Sequence, residues 1–129
     1  MKNIIKIANI LILCFLVQAC NDFPVDDKGL LITDSEECGM TVFDLLGPDN
    51  RQTLVSSVIN DDNNTVVAVA KFGTNLTHVK PRCSLLTDCI VEPMMGTWED
   101  FTKPHTYTVI SGNRKIKKTY TVTVTVQGE

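Results

Sequence analysis

Long apolar runs, helix-period patterns, metal-ligand spacings and aromatic residues are all scarce in this chain. Each shortage closes off a class of function. The longest apolar stretch, residues 7–17, is interrupted by Asn9 and falls short of the about 20 apolar residues that a membrane-spanning helix needs. Beyond residue 39 no segment repeats apolar residues at helical spacing. There are two histidines, His78 and His105, and neither sits in a motif. A catalytic thiol at Cys38, Cys83 or Cys89 would need such a partner. Cys-x-x-Cys spacing is absent, so no zinc site is assigned. Adjacent acids, Asp61 with Asp62 and Glu99 with Asp100, point apart on an extended chain, whereas glycoside hydrolysis needs two carboxyls about 5–10 Å apart across a cleft. No catalytic residue, metal or cofactor is therefore assigned, and the chain is not expected to be an enzyme.

Excess positive charge is missing too. Twelve Lys and Arg face fifteen Asp and Glu, a formal net charge of −3. Lys2 and Lys6 lie in the leader described next and every acid lies beyond it, so the remainder is more acidic still. Such a chain is a poor partner for nucleic acid, which is bound by neutralising phosphates.

What is present begins at the N-terminus. Lys2 and Lys6, the apolar run, and small Ala19 before Cys20 have the arrangement of a secretory signal peptide. Val17-Gln18-Ala19-Cys20 resembles the lipobox of bacterial lipoproteins. That resemblance implies cleavage after residue 19 and lipid on Cys20, which would hold the chain to a membrane. Each buried methylene contributes about 0.8 kcal/mol and stable anchoring takes more than one acyl chain. Residues 21–29, NDFPVDDKG, read as a polar, acidic linker. The same stretch resembles the surface-export signal of Bacteroidetes lipoproteins, with a plain solvated linker as the alternative.

The remainder has β character. Ile116, Tyr120, Val122, Val124 and Val126 alternate with Lys117, Thr119, Thr121, Thr123 and Thr125, so one face is expected buried and one wet. With Thr106–Ser111 before it and Gly112-Asn113-Arg114 between, this predicts a hairpin over 106–126. A second hairpin is predicted from residues 54–60 and 65–72 around the turn 61–64, with Val66, Ala68, Ala70 and Phe72 on one face. Residues 40–46 are read as the first strand, and 76–86 and 89–92 as further strand segments around Pro81 and Pro93. The sum is an all-β, antiparallel, immunoglobulin-like β-sandwich of about six or seven strands. The expected division is a leader at 1–19, a flexible lipid-anchored tether at 20–37, and the sandwich at 38–129.

Residues 96–104, GTWEDFTKP, then Thr106-Tyr107-Thr108-Val109, then Tyr120-Thr121-Val122-Thr123-Val124 resemble the closing half of an immunoglobulin-like domain found in Bacteroidetes surface lipoproteins, often near glycan-uptake systems. The resemblance covers roughly the last third of the chain. It implies a cell-surface location at the outer membrane, with polysaccharide or outer-membrane uptake proteins as partners. The chain stops shortly after its last strand, so no downstream domain is expected. A structural or adhesive spacer without a ligand is the alternative.

Within the domain, Trp98 is the candidate ligand contact, because an exposed indole stacks on sugar rings; core packing is the competing role. Phe101, Tyr107 and Tyr120 are expected in the core. Cys83 and Cys89 are close enough in sequence to bridge a turn, and Cys38 with either is an alternative; three cysteines leave one unpaired. Arg114, Lys115, Lys117 and Lys118 are read as solvated charges guarding a strand edge, with acidic-glycan binding as the alternative.

The anchoring reading is tested by Cys20→Ala. Labelling with an alkyne fatty acid should mark the parent chain and not the variant; equal label in both would refute lipid on Cys20.

Overall fold

The computed structural model describes residues 23–128. The leader and Cys20 lie outside the described residues. The chain divides into two compact units between Ile32 and Thr33.

The described part of the first unit is a local turn. The Ile32 amide donates to the Pro24 carbonyl at 2.8 Å and the Asp26 amide to that of Leu30 at 2.9 Å. The Asp26 carboxylate accepts from the Lys28 and Leu30 amides, both at 2.9 Å. Aspartate closing its own turn through nearby amides is a local preference of that side chain. Residues 24–32 are thus a closed loop.

Among the described residues the second unit is all-β, with seven strands and no helix: β1 (Met40–Leu46), β2 (Leu54–Asn60), β3 (Thr65–Ala70), β4 (Lys80–Leu85), β5 (Ile90–Glu92), β6 (His105–Ile110) and β7 (Lys117–Val126). Two sheets form, one ordered β1-β4 and the other β2-β3-β7-β6-β5. This is the arrangement of a β-sandwich.

The alternation in β7 is realised from Tyr120 onward, whereas Ile116, expected on the same face, precedes the strand and is exposed. Tyr120, Val122, Val124 and Val126 are buried while Thr121 and Thr125 are exposed. β6 pairs with β7 antiparallel, setting Tyr107 opposite Tyr120. In the intervening turn Arg114, not Gly112 or Asn113, takes the left-handed backbone, at φ 64°. Gly112 is needed for another reason: a Cβ there would collide with Thr33 Oγ1 and Asp88 Cβ.

One pairing differs from the antiparallel expectation. β3 runs parallel to β7, with Val66 beside Val122, Ala68 beside Val124 and Ala70 beside Val126. Alternating side chains look the same whether the partner strand is parallel or antiparallel, so the pattern carries no sign of direction. Parallel neighbours need a long crossover, and the chain through β4, β5 and β6 supplies it. Pro81 lies within β4 and is fully buried. A two-stranded sheet tolerates this, since its strands are edges with one side free of ladder bonds.

Residues 33–37 belong to this unit, although expected in the tether. The Thr33 amide donates to the Gly112 carbonyl and the Asn113 amide to that of Ser35, each at 3.0 Å. The chain thereby enters the sandwich at the end where β6 turns into β7.

The two core tyrosines tie this scaffold to its two ends. Tyr120, fully buried, donates to Asp61 Oδ1 at 2.6 Å in the β2–β3 turn. Its oxygen also accepts from the Met40 amide at 3.3 Å. Tyr107 donates to Glu99 Oε2 at 2.7 Å in the loop before β6. Asp44, also buried, is compensated by Arg82, whose Nε donates to Oδ2 at 2.8 Å.

Burial, reinforced by the bond to Asp61, pushes the Tyr120 hydroxyl up to about 12. The folded state holds this proton more tightly than the unfolded chain, whose tyrosines titrate near about 10. The associated stability is complete below about pH 10 and is lost as pH rises toward 12. Tyr120→Phe should cost about 1–2 kcal/mol at neutral pH, because it removes one bond and leaves the Met40 amide unsatisfied. It should also make the alkaline loss shallower without abolishing it, since Tyr107 is raised by burial and Glu99 in the same direction. Urea unfolding at pH 8 and pH 11 measures both effects; an equal alkaline loss in parent and variant would refute this role.

Candidate binding surface

Three loops meet at the end of the sandwich opposite the chain entry: 47–53 between β1 and β2, 71–79 between β3 and β4, and 93–104 between β5 and β6. The registers require this. Leu54 faces Ala70, Leu46 faces Lys80 and Ala70 lies beside Val126, so all these strand ends share one side.

The first loop is a tight turn of GPDN type. The Asn50 amide donates to the Gly47 carbonyl at 2.9 Å, and Asn50 takes the left-handed backbone at φ 61°, which Asn tolerates. The second loop leaves β3 when the Lys71 amide turns to the Thr53 carbonyl at 2.7 Å. Thr53 and Thr74 hydroxyls then join the two loops at 2.7 Å. A groove of about 500 Å³ lies between them, lined by Asp49, Arg51, Gln52, Lys71, Phe72 and Asn75 among others.

Phe72 is the unexpected member. The alternation of β3 placed it on the buried face with Val66, Ala68 and Ala70, but it is 79% exposed. The strand ends at Ala70, and the turn through Lys71 and Gly73, at φ 82°, breaks the two-residue period. Gly73 directly after the phenylalanine was the legible warning of a turn.

The third loop is fastened to the second. Val79 and Glu99 exchange both backbone bonds, at 3.0 and 2.7 Å, and the Phe101 amide donates to the Leu76 carbonyl at 2.7 Å. In this antiparallel bridge, alternate residues face opposite ways. Val79 and Glu99 turn inward, the latter to Tyr107. Trp98, with its neighbours His78 and Lys80, turns outward. Trp98 is 38% exposed. The His78 ring stacks on it with centroids 4.3 Å apart and planes 14° from parallel. Lys80 Nζ lies 4.6 Å from the indole centroid, in cation–π range. The same Nζ donates to Asn50 Oδ1 at 3.5 Å, linking the indole patch to the first loop. Asp100 does not face Glu99. Its carboxylate accepts from the Thr102 hydroxyl at 2.6 Å and amide at 2.9 Å, and these bonds hold it below the usual carboxylate range.

The remaining sequence candidates fall elsewhere. Phe101 is buried against Phe43 and His105, with ring centroids 6.3 and 4.1 Å away. Cys83 and Cys89 are not joined. Cys83 sits on β4 opposite Phe43, whereas the Cys89 thiol donates to the Glu37 carbonyl at 3.0 Å. All three described cysteines are free thiols. Arg114, Lys115, Lys117 and Lys118 lie at the far end from Trp98. Lys117 and Lys118 precede Thr121, where the pairing of β7 with β3 begins, so that stretch of β7 is paired with β6 alone. Among the described residues no three His, Cys, Asp or Glu side chains cluster to hold a metal ion.

Residues 49–124 match the family described as SGBP, N-terminal. The chain belongs to that family. It is a Bacteroidetes surface-glycan-binding family, which places the protein at the cell surface or envelope. The matched stretch contains both Phe72 and Trp98. Among solved structures, a candidate secreted protein of Bacteroides fragilis aligns with a TM-score of 0.56 and 18% identity, over 70% of this chain and 96% of its own. A DUF4623 family protein of Bacteroides eggerthii aligns with a TM-score of 0.54 and 12% identity, over 72% of this chain and 22% of its own. These two share the fold. A candidate glycoside hydrolase of Bacteroides thetaiotaomicron is 27% identical over 70% of this chain, with a TM-score of 0.49; the chain spans 24% of its length. No curated protein sequence matches.

The exposure difference between the two loop aromatics has a thermal signature. Trp98→Ala should cost about 1–2 kcal/mol, the worth of a half-buried ring with one stack and one cation contact. Phe101→Ala should cost about 3–5 kcal/mol through the cavity it opens. Comparable drops in melting temperature for the two would make Trp98 a core residue.

Proposed function

We propose that this SGBP N-terminal domain is a non-catalytic, lipid-anchored module of the outer membrane that binds glycan with its loop end, in service of polysaccharide capture or uptake. The observation that carries the reading is the joint exposure of Phe72 and Trp98 on loops that also present Asp49, Asn50, Arg51 and Gln52, with Lys80 beside them at the first position of β4. A sugar ring offers an apolar face of C–H groups and a rim of hydroxyls. An exposed aromatic ring suits the first, and short polar side chains on fixed loops suit the second. Loops carried by a rigid sheet are where such groups are held in place. Lipid on Cys20 would hold the domain to the membrane, and outer-membrane uptake proteins are the partners such a module would serve.

No step of this reading calls for chemistry. The adjacent carboxyls Glu99 and Asp100 are split between the core and the surface, and Glu99 is engaged by a buried tyrosine hydroxyl. The competing role is a spacer with no ligand, and one binding experiment separates the two. The protein is titrated against a panel of neutral and acidic polysaccharides by affinity electrophoresis and calorimetry. Phe72→Ala or Trp98→Ala should weaken a positive interaction by about 1–3 kcal/mol, as expected for a stacked anchor, while leaving the fold intact by circular dichroism. Absence of binding across the panel, or binding indifferent to both substitutions, would favour the spacer.

A further inference from the structure

At the end away from the loops, two of the free thiols converge. Cys89 immediately precedes β5, whose register sets Ile90 against Ile110 and Val91 against Val109. Cys38 lies two residues before β1 and directs its thiol at β6, the partner of β5, donating to the Val109 carbonyl at 3.3 Å. From the other side, Cys89 Sγ lies 3.0 Å from the Glu37 carbonyl oxygen. That oxygen belongs to the peptide bond entering Cys38, so the Cys89 side chain already points at the backbone of its counterpart. Burial pushes the Cys38 thiol up, and the neighbouring Cys89 adds to the rise. Cys83 takes no part, being on β4 of the other sheet.

We propose that Cys38 and Cys89 are joined by a disulfide in the exported protein. The pairing differs from the Cys83–Cys89 bridge suggested by sequence proximity. The oxidant is the disulfide of an envelope thiol oxidase. The part-exposed Cys89 thiolate attacks one sulfur of that disulfide and releases the other as a thiolate. The Cys38 thiolate then attacks the Cys89 sulfur of the mixed disulfide and expels the oxidant's second thiolate. The two protons lost by Cys38 and Cys89 reappear on the two oxidant thiols, so the oxidant gains both electrons. Disulfides persist in such compartments. This bridge would close a loop containing β1 to β4 and clamp the entering chain to β5. Cross-links that close long loops restrict the unfolded chain most.

The test uses the full chain, expressed with its own leader and recovered from the envelope fraction. Free thiols are alkylated, the protein is digested with trypsin without reduction, and linked peptides are read by mass spectrometry. A linked pair of residues 29–51 with 83–114 is expected in the parent and in Cys83→Ser, and lost in Cys89→Ser. Reduction should lower the melting temperature of the parent by about 10 °C or more and leave Cys89→Ser unmoved. If the envelope protein carries three free thiols, the purified chain is equilibrated in a glutathione redox buffer. Formation of the same linked pair there supports the proposal. Its absence overturns it, as does a linkage within 83–114 or one that survives Cys89→Ser.

Discussion

The fold turns on a cross-strand contact between two tyrosines at the middle of β6 and β7. Tyr107 and Tyr120 face each other in register and both are buried, so together they put much of the core's apolar area in one place. Their hydroxyls diverge. Tyr120 reaches Asp61 and the start of β1, while Tyr107 reaches Glu99 in the loop before β6. A buried phenol needs a partner for its hydroxyl, and here the carboxylate partners lie in the β2–β3 turn and in the loop before β6. The pair thus fills the centre and at the same time orients one turn at each end.

The Glu99 bond is the route from core to surface. Because Glu99 turns inward, its neighbours Trp98 and Asp100 turn outward. The indole's exposure is therefore a geometric consequence of satisfying Tyr107. The exchange of backbone bonds between Val79 and Glu99 fixes the same parity from the other loop and sets His78 and Lys80 beside the indole. A loop of this kind is held by bonds at alternate positions, which leaves the intervening side chains available to a ligand.

Much of this was legible in the sequence wherever periodicity and turn residues agreed. The β6–β7 hairpin and the buried set Tyr120, Val122, Val124 and Val126 followed from strict alternation, and Met40–Leu46 from its bounding Gly47-Pro48. What stayed hidden depended on partners distant in the chain. The direction of β3 against β7 leaves no mark on either strand. Phe72 continued the alternation on paper, yet the backbone had already turned at Lys71. The fastening of residues 33–37 depends on a collision-free Gly112 some eighty positions away. The cysteines gave the weakest signal, because nearness in sequence is no measure of nearness across a sandwich.

The chain enters the domain beside the β6–β7 turn, whereas Phe72 and Trp98 stand at the opposite pole. β7 alone has ten residues, which at about 3.4 Å each separates the poles by roughly 30 Å. In the proposed role, a polymer held at the loop end and drawn away from the point of chain entry would pull along the strands, not across them. Under that direction of load the ladder bonds between neighbouring strands resist in shear, many at once, instead of opening one after another like a zip. With entry and loops so placed, the load in the proposed role falls along the strand axis, where many ladder bonds share it.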